Sequence, residues 1–464
     1  MPSLAQVAKQ LGLTATGDAE LTGAAISSQH IRPGYLFIAA PGKLSHGLDH
    51  LQQAIELGAV ALLTDRAGDF GLPTILAKNP RELAGAVAAE IFETPVSGLF
   101  GVTGTNGKTS TTTYLHRLLN ALDNKTGLIG GSGICIAGSW QKSELTTPEA
   151  PRIHQLLSDM RKAGDGSAVI EISAQAIERG RISGLEFDMV GFTNLSRDHL
   201  DDYASMQKYY ETKAELFGES WSRRAVINVE DEWGQRLYEQ AAIPKVGIGG
   251  DLEYQLAYSS GQLAISGRQS LAAAVNLTPT MAKNLGLALV MLLEAGFAPD
   301  ALSGALSKID LQVSGRLERV STSPAVYVDY AHTPAGVESA VRDLLARHKS
   351  LIVVLGASGN RDQGKRALMA NATSGARLVI VTDQHPRDED PAAIRAELIA
   401  ALVAAGQEFL EVPDPAEAIR IAIEGAGRDE AVLWCGPGNL DYREIKGEKV
   451  PFNALEVARG LVNR

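Results

Sequence analysis

At 464 residues the chain exceeds one ordinary hydrophobic core and points to roughly two to four domains. With 45% hydrophobic and 21% charged residues it reads as a soluble globular protein, and its formal net charge of -11 argues against a nucleic-acid scaffold while leaving small anionic substrates open. Met1 to Leu11 forms no basic, apolar leader, no run of about 18 apolar residues occurs, and Cys135 and Cys435 have no CxxC spacing; a cytoplasmic location without membrane span, disulfide framework or cysteine-rich zinc site is expected.

In chain order, Ser3 to Leu11 reads as an amphipathic helix, and Ile26 to Arg32 leads into a strand at Tyr35 to Ala40. A Pro41-Gly42 turn, a helix around Asp49 to Leu57, strands at Ala59 to Leu63 and Thr74 to Ala77, and a helix at Pro80 to Phe92 complete a small α/β unit. The breaker-rich stretch from Glu93 to Gly98 reads as a linker.

The apolar run Leu99 to Val102 then enters Gly101-Val-Thr-Gly-Thr-Asn-Gly-Lys-Thr-Ser110, followed by a helix over Thr111 to Leu122. A strand, a glycine loop and a helix N-terminus together make a phosphate cradle. Gly104 and Gly107 let the backbone approach an anion, Lys108 reaches the outer phosphates, and the Thr109 hydroxyl is placed for Mg²⁺. The generic P-loop pattern is imperfect, because Val102 stands where its first glycine would be. A mere glycine turn, however, has no use for Lys-Thr after its last glycine.

Further apolar runs at Ala168 to Ile172, Met189 to Thr193 and Ala225 to Asn228 end in polar residues, which an open parallel sheet gathers at one edge. Glu171, Asn194 and Asp198-His199 would meet there. Glu171, embedded in Val-Ile-Glu-Ile, needs a cationic partner such as the metal of a nucleotide. Taken alone, Asp198-His199 reads as a solvated loop. In Met206 to Phe217 the residues Met206, Tyr209, Tyr210, Leu216 and Phe217 recur at helical spacing and Lys213 shares their stripe, whereas Lys208, Glu211 and Glu215 do not. Such a lysine either snorkels or sheds its charge by deprotonation, pairing or covalent change. Apolar runs at Ala325 to Val328, Leu351 to Leu355, Leu378 to Val381 and Ala431 to Trp434 read as a doubly wound C-terminal sheet.

The chain resembles the Mur ligases, and among them the enzymes that add the third residue of the peptidoglycan stem peptide. The resemblance rests on Gly104-Thr-Asn-Gly-Lys-Thr-Ser110, Thr146-Thr-Pro148, Glu171-Ile-Ser173, Phe192-Thr-Asn-Leu-Ser-Arg-Asp-His-Leu200, Gly315-Arg-Leu-Glu-Arg319, Asp329-Tyr-Ala-His-Thr-Pro334 and Gly359-Asn-Arg-Asp-Gln-Gly-Lys-Arg366, in family order. It implies a three-domain α/β architecture: a UDP-sugar domain over 1–95, a central ATP-binding domain with a P-loop parallel sheet over 96–320, and a doubly wound amino-acid-binding domain over 321–464.

The resemblance also implies ADP-forming amide synthesis through an acyl phosphate, joining an amino acid to the D-Glu carboxylate of UDP-MurNAc-L-Ala-D-Glu. Gly104, Thr105, Asn106, Gly107, Lys108, Thr109 and Ser110 would hold ATP, with Asn284 near adenine, Arg316 near the phosphates, Asp329 at the ribose and His332 closing the site with Arg361 and Lys365. Thr109 and Glu171 would bind Mg²⁺. Lys213 matches the family lysine that CO₂ carbamylates, which with His199 would hold a second Mg²⁺. Lys108, Lys213 and His199 are thereby the expected catalytic residues. Without the family match, Asp329 reads as a strand-end turn residue.

On the acceptor side, Thr146, Thr147, Ser173 and Arg181 match residues that hold the muramyl peptide. Other positions depart from the pattern. Asp-Asn-Pro-Arg of the diaminopimelate enzymes becomes Gln384-His385-Pro386-Arg387, Gly-Lys-Gly-His-Glu becomes Gly436-Pro-Gly-Asn-Leu440, Asp-Ser-Arg near uracil becomes Ser27-Ser28-Gln29, and Ser-Ser-His becomes Ser173-Ala174-Gln175. Leu440 cannot accept a hydrogen bond from a buried ammonium, which argues against diaminopimelate, although inconsequential loop variation would read the same. The alternatives are a relative acting on a different carboxylate in specialised metabolism, and a nucleotide-binding partner without catalysis. The expected partners are small molecules, a UDP-muramyl peptide and an amino acid, bound by a monomer with no role for nucleic acid or membrane.

Overall fold

A computed structural model describes residues 1–42, 45–92 and 96–462. The first sheet holds the parallel strands Gly23–Ala25, Tyr35–Ala39, Ala59–Thr64 and Thr74–Leu76 in that order. Ser3 caps the opening helix Leu4–Gln10 through a capping box with Gln6. The helix expected around Asp49 starts as the 3₁₀ turn Gly47–His50 and continues as Leu51–Glu56. The linker between the first two sheets, with the boundary placed at Pro95, lies partly outside the described residues.

The second sheet is built on parallel strands in the order Lys245–Ile248, Ala225–Asn228, Met189–Phe192, Gly98–Thr103, Ser167–Glu171, Thr126–Gly130. The phosphate-loop strand Gly98–Thr103 is central, with both neighbours delivering their polar C-terminal residues beside it. Its strands are apolar on both faces because helices cover both, as a parallel sheet requires. The helix Lys108–Ala121 begins three residues earlier than Thr111, because Gly107, at φ 87°, turns the chain directly into it. Along one edge Gly133–Ile136 and Ser139–Gln141 add antiparallel strands, and beyond the other lie Tyr254–Ser259, Gln262–Gly267 and Leu271–Ala274. The long apolar helix Pro279–Glu294 packs against Lys108–Ala121.

The third sheet has the order Glu318–Thr322, Ala325–Asp329, Glu430–Cys435, Ser350–Leu355, Leu378–Val381, Phe409–Glu411, parallel except for its first strand. Separate apolar clusters on its two faces make it doubly wound. The strand Glu318–Thr322, on which the boundary near Ser321 falls, is already paired into this sheet. No helix among the described residues is long and apolar enough to cross a membrane.

Candidate active site

A cleft of about 1500 Å³ opens where the C-terminal edge of the central sheet faces the third sheet. The phosphate loop forms its floor. Thr193 Oγ1 and Asn194 Nδ2 donate to the Asn106 carbonyl at 2.7 and 3.0 Å, and the Asn106 amide donates to Asn194 Oδ1, so the neighbouring strand end fixes the loop. Thr105 Oγ1 accepts from the Ser196 amide at 3.1 Å. A Cβ on Gly104, at φ 144°, would lie 1.9 Å from Thr193 Oγ1, so only glycine fits that approach. Thr109 and Ser110 are buried in the first turn of the following helix.

Lys108 Nζ folds back onto the carbonyls of Gly104 and Thr105 at 3.1 and 2.8 Å. Lys213 Nζ donates to the same Gly104 carbonyl at 2.8 Å and lies 4.7 Å from the centre of the Tyr209 ring. Lys213 is 1% exposed, so it does not snorkel. Burial, reinforced by the Lys108 charge, pushes its amine well below the ordinary lysine range.

Thr109 Oγ1 donates to Glu171 Oε1 at 3.1 Å and accepts from Arg316 Nη2 at the same distance. The other carboxylate oxygen of Glu171 accepts from the Gly131 amide at 2.8 Å. Among the described residues no group of three His, Cys, Asp or Glu side chains could hold a metal by itself. Thr109 and Glu171 nevertheless offer adjoining hard oxygens beside the loop, a donor set that fits Mg²⁺ once phosphate oxygens and water complete its shell.

Asp198-His199 is not a solvated loop. Asp198 is 4% exposed; Lys365 Nζ donates to its Oδ1 at 2.9 Å, and its Oδ2 lies 3.4 Å from His199 Nε2 and 3.5 Å from His332 Nε2. Burial acts to raise the carboxyl, but the His332 hydrogen bond and the charges of His332, His199 and Lys365 hold it well below the usual range. Burial takes His199 down to about 4. His332 Nδ1 donates to the Tyr330 carbonyl at 2.8 Å, which leaves Nε2 toward Asp198.

The remaining nucleotide-side residues also line the cleft. Asn284 Oδ1 lies where a Cβ on Gly107 would come within 2.3 Å. Arg316 lies over the Tyr330 ring. Asp329 accepts the Leu317 and Ala331 amides at 2.6 and 2.7 Å, so in this structure both its oxygens tie the strand end to the backbone.

On the acceptor side, Thr146, Thr147, Ser173, Gln175 and Arg181 line the same cleft. Thr147 Oγ1 donates to the Glu171 carbonyl at 2.7 Å and accepts from the Ser173 amide at 3.1 Å. Gln175 donates to Asp202 and meets His199 Nδ1, both at 3.1 Å. Arg181 Nε donates to Glu149 at 3.1 Å, and the other oxygen of Glu149 takes Arg81 of the first domain at the same distance. Leu440 is in the cleft wall. Ser28, His385, Arg387 and Gly436 are not. Ser28 donates to Gln53 at 2.8 Å within the first domain, His385 Nδ1 accepts from the Glu444 amide at 3.0 Å, Arg387 is paired with Glu444 at 2.9 Å, and the Gly436 amide donates to the Asp329 carbonyl. Sequence reasoning missed Glu149, Tyr209, and the bidentate pair of Arg197 with Asp362, at 3.0 Å for each bond. The spacing of Arg197 and Asp362 gives no sign that they meet.

Residues 20–92 match the Mur ligase family, catalytic domain; residues 102–262 match the Mur ligase middle domain; residues 315–438 match the Mur ligase, glutamate ligase domain. A UDP-N-acetylmuramyl-tripeptide synthetase of Leifsonia xyli is 43% identical over 98% of this chain and 95% of that protein. A UDP-N-acetylmuramoyl-L-alanyl-D-glutamate--2,6-diaminopimelate ligase of Streptomyces coelicolor is 36% identical over 99% and 96%. Among solved structures, a UDP-N-acetylmuramoyl-L-alanyl-D-glutamate--2,6-diaminopimelate ligase superposes with a TM-score of 0.65 at 27% identity, covering 96% of this chain and 95% of that one. MurF ligase from Thermotoga maritima in complex with ADP gives 0.67 at 18% identity, covering 95% and 96%.

Proposed function

Because the chain belongs to the Mur ligase family of ATP-dependent amide ligases, we propose that it joins an amino acid to the D-Glu carboxylate of UDP-MurNAc-L-Ala-D-Glu in cell-wall synthesis. The observation that supports this most is the meeting, in one cleft, of the phosphate loop, the Thr109–Glu171 oxygen pair, the buried Lys213 and the Thr146-Thr147 acceptor loop. The working division is 1–95 for the acceptor's nucleotide, 96–320 for ATP and 321–464 for the amino acid, in a cytoplasmic monomer.

Lys108 leaves the Gly104 and Thr105 carbonyls to take the β- and γ-phosphates, while the loop amides and Arg316 hold the rest of the chain of phosphates. Thr109 and Glu171 would hold Mg²⁺, which when bound neutralises charge on the transferring group. The γ-phosphoryl passes to the acceptor carboxylate, releasing ADP; the amino acid's amine attacks the acyl carbon of that mixed anhydride, loses a proton, and inorganic phosphate leaves. The residues contribute positioning and charge compensation. Burial and the Lys108 charge push the Lys213 amine well below the ordinary lysine range, which favours the unprotonated form that adds CO₂; its carbamate, formed with release of one proton, would serve with His199 as a second ligand set.

Leu440 in the wall argues for an amino acid other than diaminopimelate. A second reading, ligation to a different carboxylate, draws on Arg181 and Gln175, whose donors already serve Glu149, Asp202 and His199. Positional isotope exchange with ATP labelled at its β,γ-bridging oxygen tests the proposal without any amino acid. Scrambling that requires UDP-MurNAc-L-Ala-D-Glu supports acyl phosphate formation on that acceptor, and scrambling with other carboxylates only would favour the second reading.

A further inference from the structure

Asp343 belongs to the helix Pro334–Leu345 of the C-terminal domain, yet its carboxylate serves the central domain. Its Oδ2 accepts the Thr280 amide at 2.8 Å, in the first turn of the helix Pro279–Glu294. The other donors of that turn are accounted for within the central domain. Pro279 has none, the Met281 amide donates to Thr278 Oγ1, and the Ala282 amide donates to the Thr278 carbonyl. The helix start is complete only with a residue from the other domain.

Asp343 is 1% exposed, and its Oδ1 has no hydrogen-bond partner among the described residues. A buried carboxylate with so few bonds is costly, and the positive end of the helix it faces offsets that cost. From the turn that follows the same C-terminal helix, Arg347 donates to the Leu277 carbonyl, immediately before the Thr278 cap. Carboxylate and guanidinium thus grip an amide and a carbonyl on either side of one helix start.

The helix so gripped carries Asn284, which abuts Gly107 of the phosphate loop. The strip of cleft between the two helices is lined by Thr280, Met281, Asn284, Ser339 and Arg342. We propose that Asp343, through Thr280, is a positioning residue that couples nucleotide binding to docking of the C-terminal domain. The inference rests on the reading above that this end of the cleft holds the nucleoside of ATP. Docking completes the helix start and forms the second wall of the strip. Nucleotide and clamp therefore favour the same arrangement, and each strengthens the other.

The test is calorimetric titration of the full chain with Mg²⁺ and AMPPNP, with small-angle scattering of the same samples, for wild type, Asp343→Asn and Arg347→Met. Wild type should compact on binding nucleotide; in Asp343→Asn the dissociation constant should rise about tenfold and that compaction should be lost at equal saturation. The melting temperature of the nucleotide-free protein should stay in place. Arg347 is exposed, so its variant folds whatever happens at Asp343, and it should weaken AMPPNP in the same direction. A lowered melting temperature with unchanged affinity and compaction would make Asp343 merely structural and overturn the proposal. Absence of AMPPNP binding in wild type would overturn the nucleotide reading and this inference with it; tight wild-type binding that neither substitution alters would overturn this inference alone.

Discussion

Asp198, in the loop after the central-sheet strand Met189–Phe192, and Lys365, at the start of the C-terminal helix Lys365–Asn371, meet at 2.9 Å with side-chain exposures of 5% and 8%. Beside them Arg197 grips Asp362, and Arg361 lies 3.6 Å from Asp201. Asp198, Lys365 and Asp362 are buried in this docked arrangement, whereas Arg197 and Arg361 keep part of their surface in water. Lys365→Met would leave buried Asp198 with only His332 and His199 beside it, a loss of up to about 3–5 kcal/mol for a buried pair of this kind. Because undocking returns Asp198 to water, the loss should appear as opening rather than unfolding. The expected outcome is a fall in kcat of roughly 100-fold or more with little change in Tm. A lowered Tm at unchanged kcat would contradict this.

Acid should destabilise the protein through its buried histidines. Burial takes both His116 and His385 from 6.5 to about 4. As pH falls through 6.5 the unfolded chain protonates first, so stability declines between pH 6.5 and 4 and levels off below, by up to about 3 kcal/mol for each group. Urea unfolding at several pH values should show a shallower decline in His116→Gln than in wild type. An identical pH dependence would remove His116 from the account.

Gly107 has φ 87°, and a Cβ there would stand 2.3 Å from Asn284 Oδ1. Gly107→Ala combines left-handed strain of roughly 1–2 kcal/mol with displacement of Asn284. Nucleotide affinity should fall by about tenfold or more while the circular dichroism spectrum stays native. Retained affinity would mean that neither loop geometry nor Asn284 matters to binding.

Lys108 and Lys213 share the Gly104 carbonyl but should fail differently. Lys108→Ala should abolish ADP formation. Lys213→Ala should lose activity that short added carboxylates partly restore, since these can occupy the place of a carbamate. Full activity of the Lys213 variant would rule out the carbamate assignment.

Strands with continuous apolar runs, such as Gly98–Thr103 and Ser350–Leu355, were legible because burial on both faces imposes that pattern. The edge strands Leu271–Ala274 and Tyr442–Ile445 are not, as partly exposed short strands carry a weak signal. Spacing puts Lys213 on the apolar stripe of its helix but leaves snorkelling open, and only the packed structure shows it buried. Asp198 was misread because its partners, Lys365 and His332, lie more than a hundred residues away and no local pattern announces them. Motif position alone puts Leu440 in the cleft, whereas His385 and Arg387, two residues apart in the Gln384–Arg387 stretch, turn to Glu444 instead.

The central claim is tested most directly by ADP release from the purified protein with Mg²⁺-ATP and UDP-MurNAc-L-Ala-D-Glu, across single amino acids including diaminopimelate, lysine and ornithine. Release should require the acceptor and respond to one amino acid of the panel, with diaminopimelate used weakly or not at all because Leu440 cannot meet its distal ammonium. Efficient turnover of diaminopimelate would remove the inference from Leu440. If ATP binds but no amino acid on the panel stimulates release with this acceptor, the assignment to stem-peptide synthesis is contradicted and a different carboxylate is the substrate.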